Sequence, residues 1–85
     1  MSAEPRPWTV YMLRCADDTI YTGIARDAEA RIAAHNSGKG AKYTRARRPV
    51  AMVYCEAAAD RSEASRREYA IKRLSRQAKM ALIGA

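Results

Sequence analysis

Val10-Tyr11-Met12-Leu13-Arg14-Cys15-Ala16-Asp17-Asp18-Thr19-Ile20-Tyr21-Thr22-Gly23 is the stretch whose reading decides the fold. Residues 8–15 alternate and are rich in β-formers, residues 16–18 have turn chemistry, and residues 19–25 resume a strand pattern. Together they predict a β-hairpin. Loop length sets its register. A three-residue loop pairs Cys15 with Thr19, placing Tyr11 opposite Gly23 and Leu13 opposite Tyr21 on one face. A two-residue loop sends the tyrosines to opposite faces. The three-residue form needs its last residue in the left-handed region, which Asp18 tolerates, and this register is the expectation.

Outward from the hairpin, Asp27 is suited to N-cap a helix over residues 28–36, and Gly38 to stop it. Residues 38–45 read as a basic loop or short helix, and Pro49 precedes a third strand over 50–56. Asp60 with Glu63 resembles a capping box and opens a helix from Arg61 to about Arg76. Its apolar stripe is Ala64, Ile71, Leu74 and Ala78, with Leu82 continuing it in a last turn. Glu68 sits at the edge of that stripe. The order β-β-α-α-β-α predicts an α+β fold, a small three-stranded antiparallel sheet flanked by helices. Eighty-five residues fit one domain, with a core over about 8–83 and residues 1–7 as a loose lead-in.

The formal net charge is +7, and its distribution says more than its size. No acid occurs between Ala30 and Cys55, where Arg31, Lys39, Lys42, Arg45, Arg47 and Arg48 all stand. After Glu68 there is again none, while Lys72, Arg73, Arg76 and Lys79 follow. Two acid-free basic tracts point to a polyanion partner, most simply nucleic acid. No stretch has the length of a membrane span or the apolar run of a signal peptide, so a cytoplasmic, membrane-free protein is expected. Two cysteines and one histidine cannot build an ordinary four-ligand zinc site. Both Cys15 and Cys55 read as small buried hydrophobes of strands.

Taken singly, the candidate functional residues have ordinary readings. A strand tyrosine such as Tyr11 or Tyr21 is commonly half-buried core. Arg31 is a helix cation, and His35, four residues on and on the same face, suits a helix C-terminus. Glu68 can pair with Lys72 at i,i+4. Tyr43 is a surface residue able to stack or bond a phosphate.

Taken together, these residues and their order resemble the GIY-YIG nuclease superfamily over about residues 8–83. Val10-Tyr11 lies in strand one, Tyr21-Thr22-Gly23 in strand two, then Arg31, His35 and a lone Glu68 in the later helix. Residues 21–23 and 38–44, Gly-Lys-Gly-Ala-Lys-Tyr-Thr, are most similar to small stand-alone bacterial members. The resemblance implies a metal-dependent endonuclease acting on DNA, of low sequence specificity or selective for structure, with a role in DNA repair among the family's settings. Glu68 would hold one Mg²⁺ or Mn²⁺, in keeping with the few carboxylates and many waters Mg²⁺ prefers. Arg31 would stabilise charge on the phosphate. Tyr11 assisted by His35 would orient or deprotonate the attacking water, with Tyr21 as second candidate base. Gly23 would give backbone or substrate room opposite Tyr11. Lys39, Lys42, Tyr43, Arg45, Arg47, Arg48 and Lys72 are the candidate nucleic-acid contacts.

A free tyrosine is only about 0.1% phenolate at pH 7, so either tyrosine or His35 can be read as the proton acceptor. Strand one reads Thr9-Val10-Tyr11 instead of Gly-Ile-Tyr, Thr22 replaces isoleucine, and Ile24 stands where some members carry lysine. No asparagine follows Asn36. Affinity is expected to come mostly from phosphate contacts and to be salt-sensitive. The alternative is a non-catalytic or partner-dependent nucleic-acid-binding module on the same fold.

Overall fold

The computed structural model describes residues 8–84; the expected lead-in over residues 1–7 lies outside them. Three strands, β1 (Trp8–Arg14), β2 (Ile20–Ala25) and β3 (Ala51–Ala58), form one antiparallel sheet in the order β2-β1-β3. Between β2 and β3 lie α1 (Ala28–Asn36) and the short α2 (Lys42–Arg45), and α3 (Arg61–Lys72) and α4 (Arg76–Gly84) follow.

The hairpin takes the three-residue register. Cys15 N–H donates to Thr19 O at 2.9 Å, Asp18 N–H donates to Cys15 O at 2.9 Å, and Asp18 has φ 68°. Tyr11 therefore pairs with Gly23 and Leu13 with Tyr21. Asp17 fixes the turn by accepting from the Thr19 backbone and hydroxyl and from Arg47.

Strand alternation gives the sheet two different faces. Val10 and Met12 on one face pack with Ala58, Ala64 and Ile71, under α3 and α4. Tyr11, Leu13 and Cys15 on the other pack with Val50, Tyr21 and Ile32, under α1. Helix α1 is held at both ends. Asp27 accepts from Ala30 N at 3.1 Å, and the Asn36 side chain exchanges two hydrogen bonds with the Val50 backbone.

Three sequence expectations are corrected. The long last helix is two helices, because Ser75 breaks it and caps the second by accepting from Ala78 N at 3.1 Å. The Glu63 carboxylate of the capping box reaches Ala59 N instead of Asp60 N, while Asp60 accepts from Glu63 N as expected. Cys55 is also exposed, in contrast to Cys15. It pairs with Tyr11 and so shares its face, but it stands on an edge strand that α1 does not cover.

Candidate active site

Tyr11, the most buried tyrosine, points from the central strand toward α1 and is 1% exposed. Its Oη lies 3.1 Å from Nε2 of the fully buried His35. On the far side of that ring, Nδ1 is 2.8 Å from Thr44 Oγ1, and Thr44 Oγ1 donates to Ala41 O at 2.9 Å. The carbonyl brings no hydrogen, so the Thr44 proton occupies that last contact. Thr44 Oγ1 must then accept from His35 Nδ1–H, which leaves Nε2 bare to accept the Tyr11 proton. The chain of donors runs in one direction, from Tyr11 through His35 and Thr44 to Ala41.

Two glycines make this packing possible. A Cβ on Gly23 would lie 2.6 Å from Tyr11 Oη and 3.0 Å from the Tyr21 ring. The space opposite Tyr11 is thus filled by its own hydroxyl, a correction to the expectation that Gly23 makes room for backbone or substrate. A Cβ on Gly40 would lie 2.2 Å from His35 Nδ1 and 2.7 Å from His35 Cα.

Tyr21 completes an aromatic cluster. Its ring centroid lies 6.5 Å from that of Tyr11, 5.3 Å from His35 edge-on and 6.0 Å from Tyr43, with Tyr43 stacked at 28°. Glu68 reaches the cluster from α3. Its carboxylate pairs with Lys72 at 3.2 Å, and Lys72 Nζ stands 6.0 Å over the Tyr21 ring.

Burial, followed by the neighbouring Tyr21, pushes the Tyr11 phenol up to about 12; the Arg31 guanidinium pulls it back and Glu68 adds to the rise. Burial and then the Arg31 charge hold His35 below its ordinary value. Tyr11 is a neutral phenol and His35 a neutral imidazole at pH 7, which is the state the hydrogen-bond directions require. The structure therefore brings Tyr11, Tyr21, Arg31, His35 and Glu68 into one neighbourhood.

No group of three or more His, Cys, Asp or Glu side chains among the described residues could hold a metal by itself. The donor set fits a hard, hydrated divalent ion bound through one carboxylate and substrate oxygens, not a fully protein-ligated site. Glu68 is suited to that role. It is half-buried and already draws a cation, the Lys72 ammonium.

The basic residues divide into two kinds. Lys39, Lys42 and Arg45 are exposed along the loop and α2. Arg47 donates to Asp17 and to Tyr43 O, and its guanidinium lies 3.9 Å from the Tyr43 ring centroid. Arg48 donates to Arg45 O at 2.9 Å and to Asn36 O at 3.4 Å, so it straps α1 to α2. Sequence reasoning missed Thr44 and Gly40. Thr44 sits among lysines and arginines in a stretch that reads as a surface, and only the fold turns it under His35.

Thr44→Val keeps the shape of the side chain but removes the acceptor for His35 Nδ1–H. Leaving that buried donor unpaired will lower stability by about 1–3 kcal/mol, measured by urea unfolding near pH 7.5. A variant as stable as the parent would show that Thr44 does not hold the ring.

Residues 7–81 match the family model described as the GIY-YIG catalytic domain. A UPF0213 protein of Staphylococcus haemolyticus is 57% identical over 74 residues, covering 87% of this chain and 90% of that protein. Another, from Desulfotalea psychrophila, is 58% identical over 79 residues, covering 92% and 72%. The solution structure of a UPF0213 protein from Bacillus halodurans is 47% identical and superposes with a TM-score of 0.59, over 91% of this chain and 82% of that one.

Proposed function

The chain belongs to the GIY-YIG catalytic-domain family, and from that premise we propose that it is a divalent-metal-dependent endonuclease cutting DNA with low sequence specificity. The observation that carries this reading is the one-way hydrogen-bond chain from Tyr11 to Ala41 beside Arg31 and Glu68. A proton acceptor already aimed at a phenol is what a tyrosine needs to act as a base near neutral pH.

In the reaction, a water positioned by Tyr11 Oη attacks phosphorus in line. The water gives a proton to Tyr11 Oη as the Tyr11 proton passes to His35 Nε2, leaving imidazolium. The new P–O bond forms, the P–O3′ bond breaks, and the departing 3′ oxygen takes a proton from water, giving 5′-phosphate and 3′-hydroxyl ends. Arg31 offsets the charge that builds on the phosphoryl oxygens. Glu68 would hold Mg²⁺ or Mn²⁺, which supplies Lewis-acid stabilisation of the same charge. Tyr21 packs against both Tyr11 and His35 and holds them in place. We assign Lys39, Lys42 and Arg45 to phosphate contacts along the flanking DNA, and Arg47 and Arg48 to holding the loop that presents them. On this reading residues 8–83 act as one catalytic domain. A protein partner that adds specificity is compatible with it.

The test is cleavage of labelled duplex, flap and single-stranded DNA with Mg²⁺ or Mn²⁺ against EDTA. Metal-dependent cleavage lost in Glu68→Ala protein is expected. Binding should weaken steeply with salt, by one log–log slope unit or slightly less for each phosphate neutralised. The same cutting in EDTA, or in Glu68→Ala protein, would overturn the assignment.

A further inference from the structure

A groove of about 340 Å³ runs along the free edge of β2, lined by Ile20, Tyr21, Thr22, Tyr43, Lys72 and Lys79. It adjoins the Tyr11–His35 pair through Tyr21 but extends away from it toward α4. Its walls differ in chemistry. One is aromatic, the stacked Tyr21 and Tyr43 rings. Tyr43 is 39% exposed, yet it is not loose, because Arg47 backs its ring at 3.9 Å and is itself tied to Asp17 at 3.0 Å. The other wall carries two ammonium groups, Lys72 on α3 and Lys79 on α4. Between them Thr22 is 3% exposed, and its buried hydroxyl has no hydrogen-bond partner among the described residues.

From this groove we propose a subsite for one unpaired nucleotide flanking the bond that is cut: its base packs on Tyr21 and Tyr43 and its phosphate lies between Lys72 and Lys79. The inference rests on the nuclease reading for what it flanks, and it adds the form of nucleic acid preferred. The size fits one nucleotide, since the groove lies at the small end of the roughly 300–1,000 Å³ range of ligand sites. The chemistry fits as well. Any base offers a π-face to tyrosine, so such stacking is tolerant of sequence. Within a duplex both faces of a base are covered by its neighbours, and only a single-stranded, flap or frayed nucleotide presents one. Lys79, which a sequence reading leaves among undistinguished cations, becomes a phosphate contact because α4, which starts anew after Ser75, places it beside Lys72 in the groove lining.

The experiment uses the whole protein in EDTA, so that binding is read without cleavage. Probes are a single-stranded oligonucleotide with one internal 2-aminopurine, a duplex with a 2-aminopurine flap, and a blunt hairpin duplex with 2-aminopurine inside the stem. Quenching of 2-aminopurine on binding is expected for the strand and the flap but not for the stem. Tyr43→Ala should remove the quenching and weaken strand binding about tenfold, with the hairpin affected less than twofold. Tyr43→Phe should restore both. Lys79→Ala should make the strand's salt slope shallower by about one.

Equal weakening of strand and hairpin by Tyr43→Ala, or quenching that survives it, would overturn the subsite. Strand quenching without flap quenching would overturn the flap part of the preference. Failure of the nuclease reading looks different: quenching and its loss in Tyr43→Ala would be present, but no divalent ion would yield cleavage.

Discussion

Tyr11→Phe will slow DNA cleavage about 10³-fold, within the ~10²–10⁴-fold range of general base catalysis, while the fold persists. The ring remains in its pocket under α1, and leaving the buried His35 Nε2 without its donor costs about 1–3 kcal/mol. Activity falls because phenylalanine can neither accept the water's proton nor pass one to Nε2. His35→Ala should cut the rate by a similar factor. The double variant should be little worse than either single one, since two members of one proton chain act together. Single-turnover cleavage checks this, and near-parental rates in Tyr11→Phe would move the base to Tyr21.

The same pair predicts how pH acts. His35 must be neutral to accept, and burial with Arg31 holds it below its ordinary value, so the rate should persist as pH falls through about 6.5 and drop only below that. Stability follows a different course. The unfolded chain protonates its histidine near 6.5 while folded His35 resists, so stability declines as pH drops from 6.5 toward the depressed folded value. At the alkaline end Tyr11 ionises in the unfolded chain near 10 but in the fold only at about 12. Stability is therefore whole below 10 and declines between the two. Urea unfolding across pH 5–12 reads both limbs.

Much of this site was legible because its parts are local. The hairpin register followed from a three-residue turn ending in a residue that accepts positive φ, and Asp18 has φ 68°. Once the register is known, Tyr11 and Tyr21 share a face by alternation. Arg31 and His35 share one by helical spacing. What escaped the sequence depended on contacts between distant segments. Nothing local distinguishes Arg47 and Arg48 from Lys42 and Arg45, yet the first two spend their guanidinium groups on Asp17 and on the carbonyls of residues 36, 43 and 45.

The division of the last helix was hidden for another reason. Ile71, Leu74, Ala78 and Leu82 keep three-to-four spacing straight through the break, and no glycine or proline marks it. A single serine cap sufficed. Cys55 misled because alternation tells which face a strand residue takes, not whether anything covers that face.

Gly40→Ala will be among the most damaging small substitutions in the chain, costing about 1–3 kcal/mol or more in stability and as much activity as loss of His35 itself. Alanine at an unstrained position ordinarily stabilises by about 0.4–1 kcal/mol, through the unfolded chain. Here the sign reverses on sterics. The added methyl would meet His35 Nδ1 at 2.2 Å, and rotating the imidazole away would not suffice, because His35 Cα lies at 2.7 Å. That atom belongs to α1, whose ends are tied by Asp27 and Asn36. The segment after α1 must therefore lift off, carrying Ala41 and Thr44 with it and opening the 2.8 Å contact that orients the ring. His35 Nδ1–H then loses its acceptor, and Nε2 no longer stays bare for Tyr11. Unfolding midpoints and single-turnover rates should fall together in Gly40→Ala, whereas Thr44→Val, which disturbs only the acceptor, should lose less of each. A Gly40→Ala protein as stable and as active as its parent would mean that the segment carrying Gly40 does not rest on His35.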